Sequence, residues 1–145
     1  MMRFLGIDYG TKRIGLAVAD DQANLAVGVS TVSSGRSLID NIQAVKTVGE
    51  DYGVDAFVVG LPLNMDDTES KQAKLTRAFG DKLAQLSVKT VHYFDERLSS
   101  VTADELLRPA ELTRKKRKAV QDAVAAQVIL QGFLDAHDNE CFVTP

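Results

Sequence analysis

Asp8 is an acidic residue at the end of an otherwise apolar strand sequence, where it is well placed to hold a metal ion. The stretch from Arg3 to Asp20 carries this carboxylate to the end of one predicted strand, turns at Gly10 and returns as a second apolar strand. Burying an unpaired carboxylate is costly, whereas a carboxylate at a strand end beside a turn is a good ligand for a hard cation. We therefore expect other carboxylates to converge on Asp8.

Two later segments supply acids that could meet Asp8. Asp95 and Glu96 are adjacent at the end of a predicted strand, and alternation lets only one of them point towards Asp8. We favour Glu96 and expect Asp95 to cap the turn or to pair with Arg97. Asp122 lies in the early turns of a predicted helix, on the same face as an apolar stripe. The alternative roles are a solvated turn for the first two acids and a favourable interaction with the helix dipole for Asp122.

Three carboxylates from separate elements are typical of a site for one or two Mg²⁺ or Mn²⁺ ions. Zinc sites favour Cys and His, and the two histidines and one cysteine of this chain do not form a cluster with ligand spacing. The sequence also lacks a Walker A loop, a nucleophile elbow and a dinucleotide fingerprint. Since hard-metal carboxylate sites commonly serve phosphoryl chemistry, we predict a site of that kind, with catalytic and metal-binding residues Asp8, Glu96 and Asp122.

Five consecutive cations, residues 114–118, lie shortly before Asp122 in a chain whose formal net charge is −3. Cations at a helix start oppose the helix dipole, so a solvated helix start explains the run less well than binding to phosphates does. Asn64, whose default role is in a turn, is a secondary candidate for substrate contact. No aromatic residues interleave with the cations, so base-specific reading is not indicated. The predicted nucleic-acid-binding residues are Lys12, Arg13, Asn64, Arg97, Arg114, Lys115, Lys116, Arg117 and Lys118.

The elements that position these residues alternate between strands and helices. We predict strands at 3–9, 13–20, 25–32, 56–61 and 88–94, and helices at 37–52, 68–86, 100–107 and 116–135. An antiparallel meander followed by right-handed crossovers predicts a mixed five-stranded α/β sheet. Three of its strands are antiparallel and two are parallel, with helices on the faces. Residues 1–135 are predicted to form a single domain, followed by a C-terminal tail at 136–145.

The composition is that of an ordinary globular protein, with 45% hydrophobic and 26% charged residues among 145. One cysteine, Cys141, excludes a disulfide framework within the chain and suits a reducing cytosol. The sequence runs directly into a strand without a charged-then-apolar leader, and no apolar run approaches membrane-spanning length. We therefore expect a cytoplasmic protein with no membrane partner, as a monomer or a homodimer.

Four ordered motifs together resemble the YqgF/RuvX family, described as Holliday junction resolvases and as pre-16S rRNA nucleases. The likeness spans about residues 3 to 134. It implies an RNase H-like fold and a metal-dependent nuclease site made of Asp8, the acid of the Asp-Glu-Arg segment and Asp122. The motifs are Gly6-Ile-Asp-Tyr-Gly-Thr-Lys-Arg-Ile-Gly15, Gly60-Leu-Pro-Leu-Asn-Met-Asp66, Asp95-Glu-Arg-Leu-Ser99 and Asp122-Ala-Val-Ala-Ala-Gln-Val-Ile-Leu-Gln131.

The chain departs from the family pattern in two places. Asp67 and Ser70 stand where the family usually has glycines. Ala125 and Ala126 stand where the established junction resolvases carry a further acid, about one helical turn after the final Asp. The second departure bears on the substrate, because it removes the fourth carboxylate of the resolvase site.

The resemblance favours an Mg²⁺-dependent endonuclease that processes the 5′ end of pre-16S rRNA in ribosome biogenesis, with nucleic acid and ribosomal subunit precursors as its partners. Cleavage of branched DNA, as a Holliday junction resolvase in recombination and repair, is the closest alternative. A noncatalytic nucleic-acid-binding or ribosome-assembly factor is another, since the fourth acid is absent. The last alternative is an ATP-dependent phosphotransferase lobe, because residues 8–11 also resemble the first phosphate loop of sugar kinases. Those enzymes enclose the nucleotide between two lobes, and 145 residues supply only one.

Overall fold

The computed structural model describes residues 1–34, 37–64, 66, 68–98 and 114–140, and within the last of these ranges it describes side chains for 123–136. The helix predicted at 100–107 therefore lies outside the described residues. The elements, in chain order, are β1 (Arg3–Tyr9), β2 (Arg13–Asp20), β3 (Val27–Ser33), α1 (Leu38–Tyr52), β4 (Ala56–Leu61), α2 (Lys71–Ser87), β5 (Thr90–Asp95), a 3₁₀ turn (Glu96–Leu98) and α3 (Arg114–Glu140).

The strands form one sheet in the order β3-β2-β1-β4-β5. Strand β2 pairs antiparallel with both β1 and β3. Strand β4 pairs parallel with β1 on one side and with β5 on the other. The predicted mixed α/β sheet is thereby confirmed. Because β1, β4 and β5 run in the same direction, their carboxyl ends meet at one edge of the sheet, which is where ligands tend to bind in such folds.

The boundaries of the elements follow from local sequence signals. The bounds of β1, β2 and β4 are those predicted from the apolar pattern and the flanking turns. Helix α1 starts after Ser37, whose hydroxyl accepts a hydrogen bond from the Asp40 amide, and α2 starts after Ser70, which accepts from Ala73. Ser70 thus places the start of α2 later than the predicted residue 68. Helix α3 begins at residue 114 and continues to Glu140, past the predicted end at 135.

Two apolar layers cover the two faces of the sheet. The period of two places Phe4 and Gly6 on the face covered by α3, and Leu5 and Ile7 on the face covered by α1 and α2. Leu75 of α2 is 47% exposed. It lies beside the buried face of α2, which carries Ala73, Thr76, Phe79, Gly80 and Leu83.

Helix α3 approaches the sheet closely over glycines. A Cβ on Gly6 would lie 2.7 Å from Leu130 Cβ, and one on Gly28 would lie 2.9 Å from the Ala123 carbonyl oxygen. Lower down the helix, the Phe133 ring meets Phe4 edge-on with centroids 5.5 Å apart. Towards its N-terminus, α3 therefore runs along β1 in the direction of Asp8. In the described part of the chain, no helix is both long and apolar enough to cross a membrane.

Candidate active site

Asp8 and Glu96 face each other across β4 at the carboxyl edge of the sheet. Asp8 is two residues past Gly6 on β1, so its side chain projects from the α3 face. Glu96 follows β5 as the first residue of the 3₁₀ turn. Its Cγ lies 3.2 Å from the position that a Cβ on Gly60 of β4 would take. Gly60 therefore leaves the space through which the two acids interact.

The environment of Glu96 opposes its ionisation. Burial is the largest cause, the negative charge of Asp8 is the second and that of Asp95 the third, and together they raise the pKa of Glu96 to about 7. The side chain therefore has two ways to lower its energy near neutral pH, namely to hold a proton or to sit beside a cation. Perturbed acids of this kind are concentrated at functional sites.

Asp95, by contrast, is committed to Arg97. Arg97 Nη2 lies 2.7 Å from Asp95 Oδ2, and Nε lies 3.0 Å from Oδ1, so the guanidinium grips both carboxylate oxygens. These hydrogen bonds hold the pKa of Asp95 below its usual value. The expected pairing of Asp95 with Arg97 is confirmed, and it leaves Glu96 as the acid of this segment that faces Asp8.

Arg97 also ties the strand end to the loop after β4. Its Nη1 donates to the Asn64 carbonyl oxygen at 2.9 Å. Within that loop the Asn64 side-chain amide donates to Thr68 Oγ1 at 2.9 Å, and Asp66 accepts from both the hydroxyl and the backbone amide of Thr68. Bonds from Thr68 hold the pKa of Asp66 low. Asn64 and Arg97, both predicted to bind nucleic acid, therefore have a structural role in bracing this loop.

The third predicted acid lies in α3. Ala126 packs against Gly6, and residue 122 is one turn nearer the helix N-terminus on the same face, in the direction of Asp8 along β1. The side chain of Asp122 lies outside the described residues, as do those of the five cations at 114–118. Among the side chains that the structure describes, no three acids, histidines or cysteines are grouped to hold a metal. The described part of the site therefore consists of Asp8 and Glu96, and the N-terminal part of α3 runs towards them.

The turn between β1 and β2 supplies the cations nearest to Asp8 in the sequence. Gly10 is required there, because a Cβ would lie 2.5 Å from the Arg13 carbonyl oxygen. Lys12 is exposed and Arg13 is half-buried. The Lys12 carbonyl oxygen accepts from the Ser34 amide at 2.9 Å, which anchors the turn to the end of β3.

Gly60 is the site residue that reasoning from the sequence did not single out. A Cβ at position 60 would crowd Glu96, as described above, and would also overlap the side chain of Ile129 of α3, whose Cγ1 would lie only 2.9 Å away. A glycine inside a wholly apolar, six-residue strand is a signal of such a close approach. Here it admits both the helix and the acid.

Comparison with known proteins gives a consistent set of relatives. A family model described as "RuvX: Holliday junction resolvase" matches residues 2–136. A protein of Myxococcus xanthus named "Putative pre-16S rRNA nuclease" is 48% identical over 136 residues, which cover 94% of this chain and 89% of the relative. One of the same name from Moorella thermoacetica is 44% identical over 134 residues, covering 92% of this chain and 95% of the relative.

Two solved structures with a similar fold are those of resolvases. RuvC of Thermus thermophilus superposes with a TM-score of 0.57 at 14% identity, covering 95% of this chain and 97% of that one. The yeast mitochondrial Holliday junction resolvase gives 0.54 at 10% identity, covering 97% and 83%. At such low identity these matches establish the fold, and the predicted RNase H-like architecture is confirmed.

Proposed function

The chain belongs to the RuvX family, and on this premise we propose that it is a metal-dependent endonuclease that cleaves precursor 16S rRNA. Asp8, Glu96 and Asp122 are its proposed catalytic and metal-binding residues. The observation that carries the proposal is the placement of Asp8, on β1, and Glu96, directly after β5, on either side of Gly60 at the carboxyl edge of the sheet. Acids brought together at this edge are suited to hold a divalent cation.

The donor set fits Mg²⁺ or Mn²⁺. Carboxylate oxygens are the ligands that these hard cations prefer, and the two described acids lie on rigid elements, a sheet strand and the turn that follows another strand. Asp122 would join them from α3. When bound, the metal supplies an activated water near neutral pH and neutralises the charge that develops on the phosphate in the transition state.

The remaining parts of the site have positioning roles. The fork between Arg97 and Asp95 fixes the backbone at the residue beside Glu96 and so limits where its carboxylate can move. Lys12 and Arg13 in the turn after Asp8, and the cations of residues 114–118, would hold the phosphates on either side of the cleaved bond. Contacts of this kind depend on backbone charge rather than on sequence, which suits a structured RNA substrate.

RNA is the favoured substrate because the relatives at 44–48% identity carry a precursor-rRNA name over nearly their full length. Junction DNA is the second candidate, since the family model is described as a resolvase. Ala125 and Ala126 stand where the resemblance places the fourth acid of established resolvases. We further propose that the protein acts in the cytoplasm, where ribosomal subunits mature.

Cleavage of defined substrates tests the proposal. Purified protein is incubated with end-labelled precursor 16S rRNA, with mature 16S rRNA and with a four-way DNA junction, each in Mg²⁺, in Mn²⁺ and in EDTA. We expect cleavage of the precursor in either metal and none in EDTA. Resolution of the junction with an intact precursor would transfer the assignment to DNA, and binding without cutting in every metal would support a noncatalytic factor.

Isosteric variants test the residues. Asp8→Asn, Glu96→Gln and Asp122→Asn should each lower the cleavage rate by about 10²-fold or more, because each removes a charge on which the metal depends. Asp51→Asn is the matched control, since Asp51 is exposed in α1 and distant from the carboxyl edge. Metal-dependent cutting that survives both Asp8→Asn and Asp122→Asn would refute the site assignment.

A further inference from the structure

A second concavity lies beside the proposed active site, on the opposite face of the sheet. Its volume is about 320 Å³, within the range of sites that take small organic groups, about 300–1,000 Å³. Tyr9 and Thr11 form one end of it, and the facing surfaces of α1 and α2 form its walls. Because Tyr9 follows Asp8 directly on β1, the two sites are separated by the thickness of the sheet edge.

The walls of this cavity are apolar and accessible. Leu38 at the start of α1 is 39% exposed, and Leu75 of α2 is 47% exposed. Ala78 lies one turn beyond Leu75 on the same wall. A flat apolar group could therefore enter between the two helices and cover side chains that now contact water.

The floor of the cavity is polar and preorganised. Asn41 is only 5% exposed, and its Nδ2 donates to Tyr9 Oη at 3.2 Å and to Ser34 Oγ at 3.4 Å. Tyr9 is itself fixed by stacking on Phe79, with ring centroids 4.2 Å apart. Gln72 Nε2 donates to the Tyr9 carbonyl oxygen at 3.0 Å. The two amides are thus held in place before any ligand arrives.

The free end of the Asn41 amide points to a ligand. Its Oδ1 accepts no hydrogen bond from the described residues. Every fully buried polar side-chain atom of those residues has a partner, so Oδ1 is not fully buried. This oxygen therefore reaches the cavity surface. Both Nδ2 hydrogens are directed at Tyr9 and Ser34, so the amide offers its acceptor oxygen to the cavity. An acceptor at this position can pair with the exocyclic amino group on the edge of a nucleobase.

We infer that this cavity, defined by Tyr9, Ser34, Leu38, Asn41, Gln72 and Leu75, binds the unstacked base of a nucleotide neighbouring the cleaved bond. The inference rests on the proposed function only in naming a polynucleotide as the source of the base. Proteins recognise unpaired bases by packing against the faces of the bases and hydrogen-bonding their edges, and this cavity offers apolar walls and a fixed amide for these two kinds of contact. It also gives the enzyme a sequence or structure preference that the cations of the active site do not supply.

Binding without metal tests the cavity independently of cleavage. Single-stranded RNA pentamers of each base, and an abasic pentamer with the same phosphates, are titrated in EDTA into ¹⁵N-labelled protein. We expect the side-chain amide resonances of Asn41 and Gln72 to shift with at least one base and to stay in place with the abasic pentamer. Equal shifts and affinities with and without bases would overturn the inference.

Blocking the slot separates it from general binding. Ala78→Phe fills the entrance without removing a buried contact, because Ala78 is exposed, and Gln85→Phe is the matched control elsewhere on the same helix. We expect Ala78→Phe to weaken binding of the preferred pentamer by about tenfold, the value of one good base contact, and to leave abasic binding unchanged. No difference between the two variants would also overturn the inference.

Cleavage assays then distinguish this inference from the proposed function. If the enzyme cuts precursor RNA but substituting each nucleotide around the cut changes the rate equally in wild type and Asn41→Asp, the cavity has no role in recognition. If base-dependent binding is seen but no metal supports cutting, the cavity stands and the nuclease assignment fails. We expect wild type to prefer one base at one position by about tenfold and Asn41→Asp to change that preference.

Discussion

Adjacent acids at one strand end have opposite electrostatic environments. Asp95 is hydrogen-bonded to the guanidinium of Arg97, which lowers the pKa of Asp95. Glu96 is buried and lies near the negative charge of Asp8, and these two effects raise the pKa of Glu96 to about 7. The two side chains have different surroundings because the strand ends at Asp95 and the chain turns into a 3₁₀ helix at Glu96. One acid stabilises the turn, and the other remains available for a cation.

The raised pKa of Glu96 makes the metal-free protein less stable as pH rises. Below about 4.5 the carboxyl is protonated in both states. Between that pH and about 7 only the unfolded state ionises freely, so the free energy of unfolding falls, by about 1–3 kcal/mol in total for a partly solvated group. Urea unfolding between pH 4 and pH 8.5 measures this. Glu96→Gln should remove this fall in the free energy of unfolding. The prediction would be wrong if the free energy of unfolding had the same dependence on pH in the wild type and in the variant.

Metal binding should show the opposite dependence on pH. The cation competes with the proton on Glu96, so the rise in melting temperature on adding Mg²⁺ should be larger at pH 8 than at pH 6. Glu96→Gln should show a smaller rise at pH 8. A stabilisation by Mg²⁺ that is equal at both pH values would argue against Glu96 as a ligand.

The fork between Arg97 and Asp95 is worth more than an ordinary surface ion pair. Its side chains are 25% and 22% exposed, and Arg97 also holds the Asn64 carbonyl oxygen. Arg97→Lys keeps the charge but loses the planar fork, so we expect a loss of about 1–2 kcal/mol in the free energy of unfolding. Arg77→Lys is the control, because Arg77 is 43% exposed in its pair with Glu69 and should cost less. Equal losses in chemical denaturation would contradict this ranking.

At the scale of elements, glycines set how closely helix α3 approaches the sheet. Gly6→Ala places a Cβ 2.7 Å from Leu130 Cβ and 3.1 Å from the Ala126 carbonyl oxygen. The helix must move away from the sheet, which we expect to cost about 1–3 kcal/mol of unfolding free energy. Since α3 carries the third proposed acid, cleavage should also fall at temperatures where the protein is fully folded.

Gly49→Ala provides the comparison for that substitution. Its Cβ would also be crowded, 3.1 Å from Phe57 and from Val54, but on the α1 face of the sheet. Folded Gly49→Ala protein should cleave at the wild-type rate, whatever its stability. A similar loss of activity in both variants, measured well below their melting temperatures, would show that α3 packing has no special link to the site.

The bounds of the helices and strands could be predicted from the sequence better than the face of each helix that is buried. The bounds of β1, β2 and β4 follow from short apolar runs ended by turns, and these signals are local. The exposed position of Leu75 depends on which side of α2 meets the sheet, and that is a tertiary property. Asn41 and Gln72 carry no motif, because their significance appears only when α1 and α2 are placed side by side. Asp8 and Glu96 were predictable as candidates since acids are rare at the ends of buried strands.

At the scale of the whole molecule, an acidic protein is proposed to bind a polyanion. The formal net charge is −3, so binding must come from local patches such as residues 114–118. Replacing Lys116 and Lys118 with Gln should weaken RNA binding and lower the slope of log affinity against log salt by about 1–2, the value for two lost phosphate contacts. Fluorescence anisotropy from 50 to 300 mM KCl measures the slope.

A charge-matched pair makes that measurement specific. Lys46 on α1 and Lys82 on α2 lie outside the predicted nucleic-acid-binding set. Replacing both with Gln changes the net charge by the same amount, yet it should leave the salt slope within error of wild type. If the two double variants lower the slope equally, binding depends on overall charge and the basic run has no particular role.

The position of α3 in the chain has a consequence for biosynthesis. It is the last element of the order, and it lies against strands that are made long before it. A chain synthesised only as far as β5 already contains Asp8 and Glu96 but lacks the helix that brings the third proposed acid. The proposed site therefore remains incomplete until α3 has emerged from the ribosome and docked on the sheet.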